Sequence, residues 1–513
     1  MRKWRSGVVT GLIAFLNTAS LHAQAGAGGL PPASAAQLPL SGRTGEPGAV
    51  GTVQNSLPGG AQSVNTLSSS VQVQGAYSGS VPSAQTPGAP LQLSLAEALR
   101  RGLEANLGTV GYQNATRQAR AQQKLALSAL LPNVNGYALI TEEDLNLASL
   151  GFTSIKLPFA GAGGFPALVG PFHYFDARAQ LSSYLLNITT LRNYRAAQQG
   201  TRATEFAAQD ARDLVLLAVT GAYLSVISAT ARIDSARAQV AASQALYRQA
   251  MDRHDAGLAA RIDVTRSQVE LQTQQQRLTS QETDFAKQKI QLGRIIGLPP
   301  GQEFTLTDMI PYAPLTDLTL EQALMRAYSN RADLKAAQAQ VQAAELTKKA
   351  AIAERYPYGE VTADYGVTGP SPSLGTFAVT GAVRFPIFDA GRIRANTEEA
   401  DAALRQRRAE ADDLRSGIDA EIRQAFLDLT AAANQVAVSQ SNRSLAQETL
   451  AQSRDRFAAG VADTVEVVQA QEQVAAAELD YITSLYAHNL AKASLARSMG
   501  QAEQSIPQFL GRP

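Results

Sequence analysis

The chain has 513 residues, enough for two or three domains with a sizeable core. Its formal charge of +1 becomes about −2 once Arg2, Lys3 and Arg5 of a removable leader are set aside, so no basic surface points to nucleic acid. Cysteine is absent, which excludes disulfide staples, zinc–thiolate sites, cysteine nucleophiles and a lipid-modified N-terminal cysteine.

In chain order, Met1–Arg5 is a positively charged stretch, Gly7–Asn17 is mostly apolar, and Ala23, Gln24 and Ala25 form a small-residue cleavage site. Residues 1–25 therefore read as a signal peptide. Residues 26–90 are rich in Gly, Pro, Ser, Ala, Gln and Thr, with Arg43 and Glu46 as the only charges. Such a composition buries too little apolar surface to offset its ordering entropy, which predicts a flexible, disordered N-terminal segment.

Beyond it the chain is written twice: residues 91–300 form a first structural repeat, 301–500 a second, and 501–513 a C-terminal tail. Leu93–Leu99 resembles Leu318–Leu324, and each copy opens a helix with a capping box, Ser94 with Glu97 and Thr319 with Gln322. Pro132 and Pro357, again 225 positions apart, each end a helix and lead into an extended segment. Later the displacement is 203, from Asp252/Asp455 through Gly257/Gly460, Val264/Val467 and Leu292/Leu495 to Gly297/Gly500. The first copy thus carries about 22 extra residues, placed in the Gly-, Pro- and apolar-rich Leu150–Phe172, a long hairpin loop.

Each copy reads helix, strand, loop, strand, long helix, turn, helix. Val361, Ala363, Tyr365 and Val367 alternate with polar or small neighbours, as do Phe377, Val379, Val383 and Phe385, and Phe175, Ala177, Ala179 and Leu181. A further strand follows Pro132. Thr190–Asp255 and Ala390–Ala458 contain no proline and predict helices of roughly 100 Å each. In the partner helix at 262–296, Val264, Leu271, Leu278, Phe285 and Leu292 recur every seven residues among polar ones. That stripe is a coiled-coil seam, leaving much of the helix to water.

Four strands with an apolar face cannot close a barrel, and an open edge cannot sit in lipid, where unpaired backbone groups cost several kcal/mol each. Leu214–Ile227 is too short for a transmembrane helix. Several chains must pool their strands; two fill the interior with side chains, whereas three leave a lumen, so geometry favours a trimer.

The duplicated segments Gly257–Val264 and Gly460–Val467, with Pro386–Gly391 where strand meets long helix, resemble the TolC family of outer-membrane efflux proteins over about residues 91–500. The resemblance implies a mainly α fold with a small transmembrane β part. A homotrimer would form a twelve-stranded barrel in the outer membrane and a periplasmic α-helical tunnel. It also implies docking to a periplasmic adaptor (membrane fusion) protein and an inner-membrane pump, of RND or ABC type, that supplies the energy. With no cysteine to lipidate, the chain looks like the non-lipidated members.

In that family the periplasmic end is a constriction made by the two helix–helix turns, here Asp252–Asp263 and Asp455–Glu466. Asp263 and Glu466 match acidic gate positions, where acids from three chains would favour cations. Their other reading is a first-turn acid that complements the helix dipole. The second acidic position of the family is Gln469 here, and the gate-locking arginine aligns with Ala462, which leaves Arg261 of the other copy as the substitute. Gly257 and Gly460 suit the positive φ that ends a helix, shaping the turns that adaptors of the family engage. Arg253 and Arg456, four residues earlier, suit the last helical carbonyls or a partner's acid.

His488 takes the seam position that Phe285 holds in the first copy, which suits packing; His173 and His254 have no metal-ligand spacing. Five methionines, one the initiator, make no soft-metal relay. The chain carries no G-x-x-x-x-G-K-[ST], G-x-S-x-G or H-E-x-x-H motif, so neither an enzyme nor a cofactor site is expected. The functional reading is a passive exit duct for small molecules. The same duct serving an ABC-type protein or peptide secretion system, and a coiled-coil scaffold of the envelope, remain as alternatives.

Overall fold

The structure, a computed structural model, describes residues 48–57, 66–82, 88–149, 167–308, 312–314, 318–369 and 373–510. The signal peptide at 1–25 lies outside these residues, as does most of the expected loop at 150–172.

Part of the segment expected to be disordered is ordered instead. Strands β1 (Val50–Leu57) and β2 (Thr66–Val73) pair antiparallel, followed by a turn of 3-10 helix at Gly75–Ser78. A lone two-stranded hairpin is marginal in water. This one is laid on helices from both copies: Thr52 Oγ1 lies 2.9 Å from Ser494 Oγ, and Val71 sits where any side chain on Gly221 would have to be. Tyr77 is buried over Gly108 in the same way.

Strand β3 (Leu91–Leu93) leads to helices α1 (Leu95–Ala105) and α2 (Leu107–Ser128). Ser94 Oγ accepts from the Glu97 amide, but the Glu97 carboxylate turns to Arg100 and Arg101 instead of closing a capping box. Strands β4 (Asn133–Asn146) and β5 (Leu168–Leu185) follow, the second absorbing the end of the expected loop. Helix α3 (Ile188–Asp255) spans 68 residues and α4 (Arg261–Ile295) 35.

The second copy opens with β6 (Phe304–Leu306), which pairs in parallel with β3, then α5 (Leu320–Asn330) and α6 (Ala332–Ala353). Here the capping box at Thr319 and Gln322 is complete. Both helices stand 225 positions after α1 and α2. The residues joining each pair, Asn106 and Arg331, do the same work: Asn106 donates to the Ile295 carbonyl and Arg331 to that of Ser498. Strands β7 (Tyr358–Gly369) and β8 (Leu374–Arg384) precede α7 (Arg392–Ala458) and α8 (Thr464–Ser498). The tail adds α9 (Ala502–Phe509), held where Lys492 Nζ donates to the Phe509 carbonyl.

The sheet has the order β4-β5-β7-β8, antiparallel throughout. Its register puts Ile140, Phe175, Ala177, Tyr365, Phe377 and Val379 on one face and Asp176, Arg178, Asp364 and Thr380 on the other. Large residues of the apolar face stand bare, Tyr365 at 73% and Phe377 at 75% exposed. Strands β4 and β8 are the two edges.

The main core is built on the apolar stretch Leu214–Ile227 of α3, which packs under Leu292, Ile295, Leu490 and Ile506. That stretch is core and not membrane span. The seam of α4 differs from expectation: Val264, Leu271, Leu278 and Phe285 are half-buried and only Leu292 is buried, whereas Ser267, Glu270 and Gln274 are covered. Gln274 Nε2 donates to Glu270 at 2.7 Å and reaches Glu472 of α8 at 3.3 Å. Paired polar groups can line a helix contact as long as each finds a partner.

Candidate functional site

The two turns are built alike in backbone. Where α3 ends, the Gly257 amide donates to the His254 carbonyl at 2.8 Å and Leu258 to Arg253 at 2.8 Å. Where α7 ends, Gly460 donates to Phe457 at 3.1 Å and Val461 to Arg456 at 3.0 Å. Both glycines have φ +75°, and a Cβ at either would meet nothing within 4 Å, so glycine is required by conformation alone. Leu258, Ile262 and Val461 project from these turns into solvent. Sequence reasoning passed over them; apolar side chains at an exposed turn were the available signal.

The side chains of the turns differ. Asp263 and Glu466 both occupy the third residue of their helices. Asp463 caps α8, its Oδ1 accepting from the Glu466 amide at 3.0 Å, whereas Ala260 offers α4 no side-chain cap. Glu466 is tied across its turn to Arg456 at 3.1 Å. Among the described residues, the ion pair of Asp263 is with Arg266 of its own helix, at 4.0 Å. Arg253 leaves Asp263 alone and crosses to the other copy, lying 4.3 Å over the Phe457 ring and donating to the Ala458 carbonyl. It therefore caps the neighbouring long helix and couples the two turns. Arg261 stands exposed in the first turn of α4.

A second cluster lies on the polar face of the sheet. Arg178 grips Asp176 with two hydrogen bonds, at 2.6 and 2.5 Å, and reaches Asp364 on β7 at 3.5 Å. Glu360 accepts from Arg384 at 2.7 Å. Sequence reasoning treated these residues only as the polar half of an alternation; charges in mid-strand were the signal it missed.

A third cluster joins the copies above the main core. Arg331 bonds Asp333 and Glu421, Arg497 bonds Glu421 and reaches Asp210, and all these side chains are buried or half-buried. Burial pushes the Glu421 carboxyl up, but Arg497 and Arg331 outweigh it and hold it below the usual range. Beside them a cavity of about 470 Å³ is lined by Gln209, Asp213, Asn330, Gln501 and Glu503. Burial, then the charge of Asp210, raises Asp213 to about 7. His488 is packed against Tyr312, 1% exposed, and burial with the nearby Lys492 lowers it to about 4. Among the described residues no group of three or more His, Asp and Glu is placed to hold a metal ion.

Comparison with known proteins gives these features a context. The sequence model of one family, described as outer membrane efflux protein, matches residues 111–298 and 323–501. The pyoverdine export outer membrane protein OpmQ of Pseudomonas aeruginosa is 26% identical over 416 residues, covering 77% of this chain and 82% of the relative. The toluene efflux pump outer membrane protein TtgF of Pseudomonas putida is 26% identical over 291 residues, 54% of this chain and 56% of the relative. In fold, the chain is similar to the outer membrane channel CmeC of Campylobacter jejuni, with a TM-score of 0.68 and 15% identity over 83% of this chain and 92% of that one. It is also similar to the outer membrane protein VceC of Vibrio cholerae, with a TM-score of 0.66 and 17% identity over 79% of this chain and 96% of that one.

Proposed function

Because the chain belongs to the outer membrane efflux protein family, we propose that three copies of it form a passive duct through which an inner-membrane pump expels small molecules. The carrying observation is the four-stranded sheet, with one bare apolar face, one charged face and two unpaired edges. In lipid such edges must be paired, and three sheets closing on one another leave a polar lumen. The long helices α3 and α7 continue the wall into the periplasm. The energy for export comes, on this reading, from the pump.

The turns at Gly257 and Gly460 are the docking surface for a periplasmic adaptor, with Leu258, Ile262 and Val461 as apolar contacts. The same turns form the gate. Asp263 and Glu466 supply its acids, Arg456 restrains Glu466, and Arg253 holds the two turns together, with Arg261 exposed beside them. Small molecules are favoured as cargo by the relatives named for pyoverdine export and toluene efflux.

The test uses cysteines at Leu258 and Val461 in cells, with crosslinking and identification of captured proteins, alongside conductance of the purified protein in a planar bilayer. Capture of an adaptor with a proton-driven pump, plus a steady pore, is the expected result. Capture of an ABC exporter would move the cargo to proteins or peptides. Absence of both pore and adaptor would leave an envelope scaffold.

A further inference from the structure

Charge is spread unevenly at the foot of the sheet, where strands give way to helices. Toward α7 the cations have acids: Arg392 pairs with Glu354 at 2.7 Å, Lys348 with Asp401 at 2.6 Å and Arg394 with Glu398 at 2.9 Å. Toward α3 the balance differs. Between Asp176 and Glu205 the sequence holds no acid, yet Arg192, Arg195 and Arg202 lie there. The equivalent stretch of α7 carries Glu398, Glu399 and Asp401. Arg195 of α3, Lys349 near the end of α6 and Arg355 just beyond it are all exposed, and among the described residues none of the three has an ion-pair partner. Arg355 donates to the Ile352 carbonyl at 3.1 Å and lies 5.7 Å from the ring of Tyr356, itself exposed.

Beside these cations stand bare apolar side chains. Leu185 shares the face of β5 that carries Phe175 and Ala177, so the apolar face of the sheet runs down to it. Leu186 follows with φ of +54° and a side chain 88% exposed. A leucine held in the left-handed region, its side chain in the open, is the kind of strain that folds retain for a use. In α3, Thr189 and Arg192 turn toward α6, donating to the Ala350 and Lys349 carbonyls. Ile188, Leu191 and Arg195 are spaced by three and four and share a different face, on which both apolar members are exposed. Arg195 stands about 6 Å further from the sheet than Leu191. The bond from Arg192 fixes Lys349 beside this face. Read away from the sheet, the order is apolar residues first and unpaired cations next, which is the order of acyl chain and phosphate in a leaflet.

We propose that this foot binds an anionic phospholipid of the periplasmic leaflet, its acyl chains on Leu186, Ile188 and Leu191 and its phosphodiester among Arg195, Lys349 and Arg355. A zwitterionic headgroup brings an ammonium of its own, and no free acid stands among these three cations to receive it. An acidic soluble partner would satisfy the cations and leave the leucines in water. The site lies below β5 and β7, the two inner strands of the sheet, so each chain holds one site by itself. The second copy does not repeat it, because Glu354, Glu398 and Asp401 already neutralise its cations. With no cysteine to carry a covalent lipid, the chain holds this one by contact alone. The inference rests on the outer-membrane duct proposed above and adds a lipid class to it.

The test reconstitutes the full chain into vesicles of phosphatidylethanolamine and phosphatidylglycerol, extracts it gently and counts the lipids it retains by native mass spectrometry. The parent is expected to keep phosphatidylglycerol in preference to phosphatidylethanolamine. The triple variant Arg195→Gln, Lys349→Gln, Arg355→Gln should lose that preference by more than about tenfold, since each cation near a membrane surface contributes about fivefold. A second triple variant, Arg202→Gln, Arg248→Gln, Arg326→Gln, removes the same charge from exposed positions elsewhere and should behave as the parent. Equal loss in both triple variants would make the effect one of overall charge and overturn the site. A parent that forms a steady pore in a planar bilayer but shows no lipid preference would overturn the site and leave the duct standing, whereas a parent that forms no pore would remove the duct and the site with it. Displacement of the lipid by inorganic phosphate alone would assign the cations to a free anion and overturn the bilayer as its source.

Discussion

Arg253 and Arg456 hold one position of the repeat, yet they have different partners, and two neighbouring differences explain why. The ring under Arg253 is Phe457; the equivalent residue in the first copy is His254, which turns to Asp255 instead. The acid beside Arg456 is Glu466, one methylene longer than Asp263, and it spans the turn where Asp263 does not. Arg253→Ala removes a cation–π contact and a cap worth together about 1–2 kcal/mol. If that link helps hold the gate shut, single-channel recordings of the variant will show higher mean conductance or more frequent opening, while Arg456→Ala changes ion preference more than opening. Equal traces for Arg253→Ala and the parent would remove Arg253 from the gate.

Asp213 makes a second residue-scale prediction. Its folded value of about 7 lies above the ordinary carboxylate range, so the folded chain holds a proton that the unfolded chain has lost between about 4 and 7. Its contribution is favourable below that window and is lost as pH rises through it. Asp213→Asn should therefore stabilise the protein at pH 8, by about 1–2 kcal/mol after allowance for partial exposure, and much less at pH 4.5. Melting curves at the two pH values check this. His488 has the opposite sense: it stays neutral when folded, so its contribution is present above the ordinary histidine value and fades as pH falls toward about 4.

At the scale of elements, what could be read from the sequence was what repeats. The helix expected over Thr190–Asp255 is α3 at Ile188–Asp255, and the second copy's long helix begins at Arg392, two residues from the expected Ala390. Capping residues and proline stops announce such ends locally, and the repeat states each of them twice. The β1–β2 hairpin was not legible, because its residues have no partners nearby in sequence: Val71 seats on Gly221 of α3, and Thr52 bonds Ser494 of α8. The coupling of Arg253 to Phe457 was hidden for another reason: repeat logic predicts like partners for like positions. The polar stripe of α4 escaped because the heptad of Val264 and Leu271 is conspicuous, whereas Ser267, Glu270 and Gln274 look like the solvated side. Gly221→Leu tests the hairpin's seat. A side chain there collides with Val71, at a cost of about 1–3 kcal/mol, and should expose residues 66–74 to protease without loss of helical signal. Unchanged protection would mean that the hairpin is held elsewhere.

At the scale of the whole molecule, the charged face of the sheet matters because three sheets would turn it inward. Asp176, Arg178 and Asp364 leave one net negative charge per chain, while Glu360 and Arg384 cancel. A ring of such clusters in a water-filled barrel favours cations. Asp364→Asn removes the net charge and should shift the reversal potential in a salt gradient toward non-selectivity. An unchanged potential would place the ion preference at the turns.

The unlike turns would also set a counting rule for a partner docking on them. In the proposed duct, three chains would present six turns around a ring, alternating between the Arg253 kind and the Arg456–Glu466 kind. A partner that tells the two apart finds three seats, and one that grips only the shared glycine backbone finds six. The stoichiometry of such an assembly would therefore report whether the partner reads side chains or main chain.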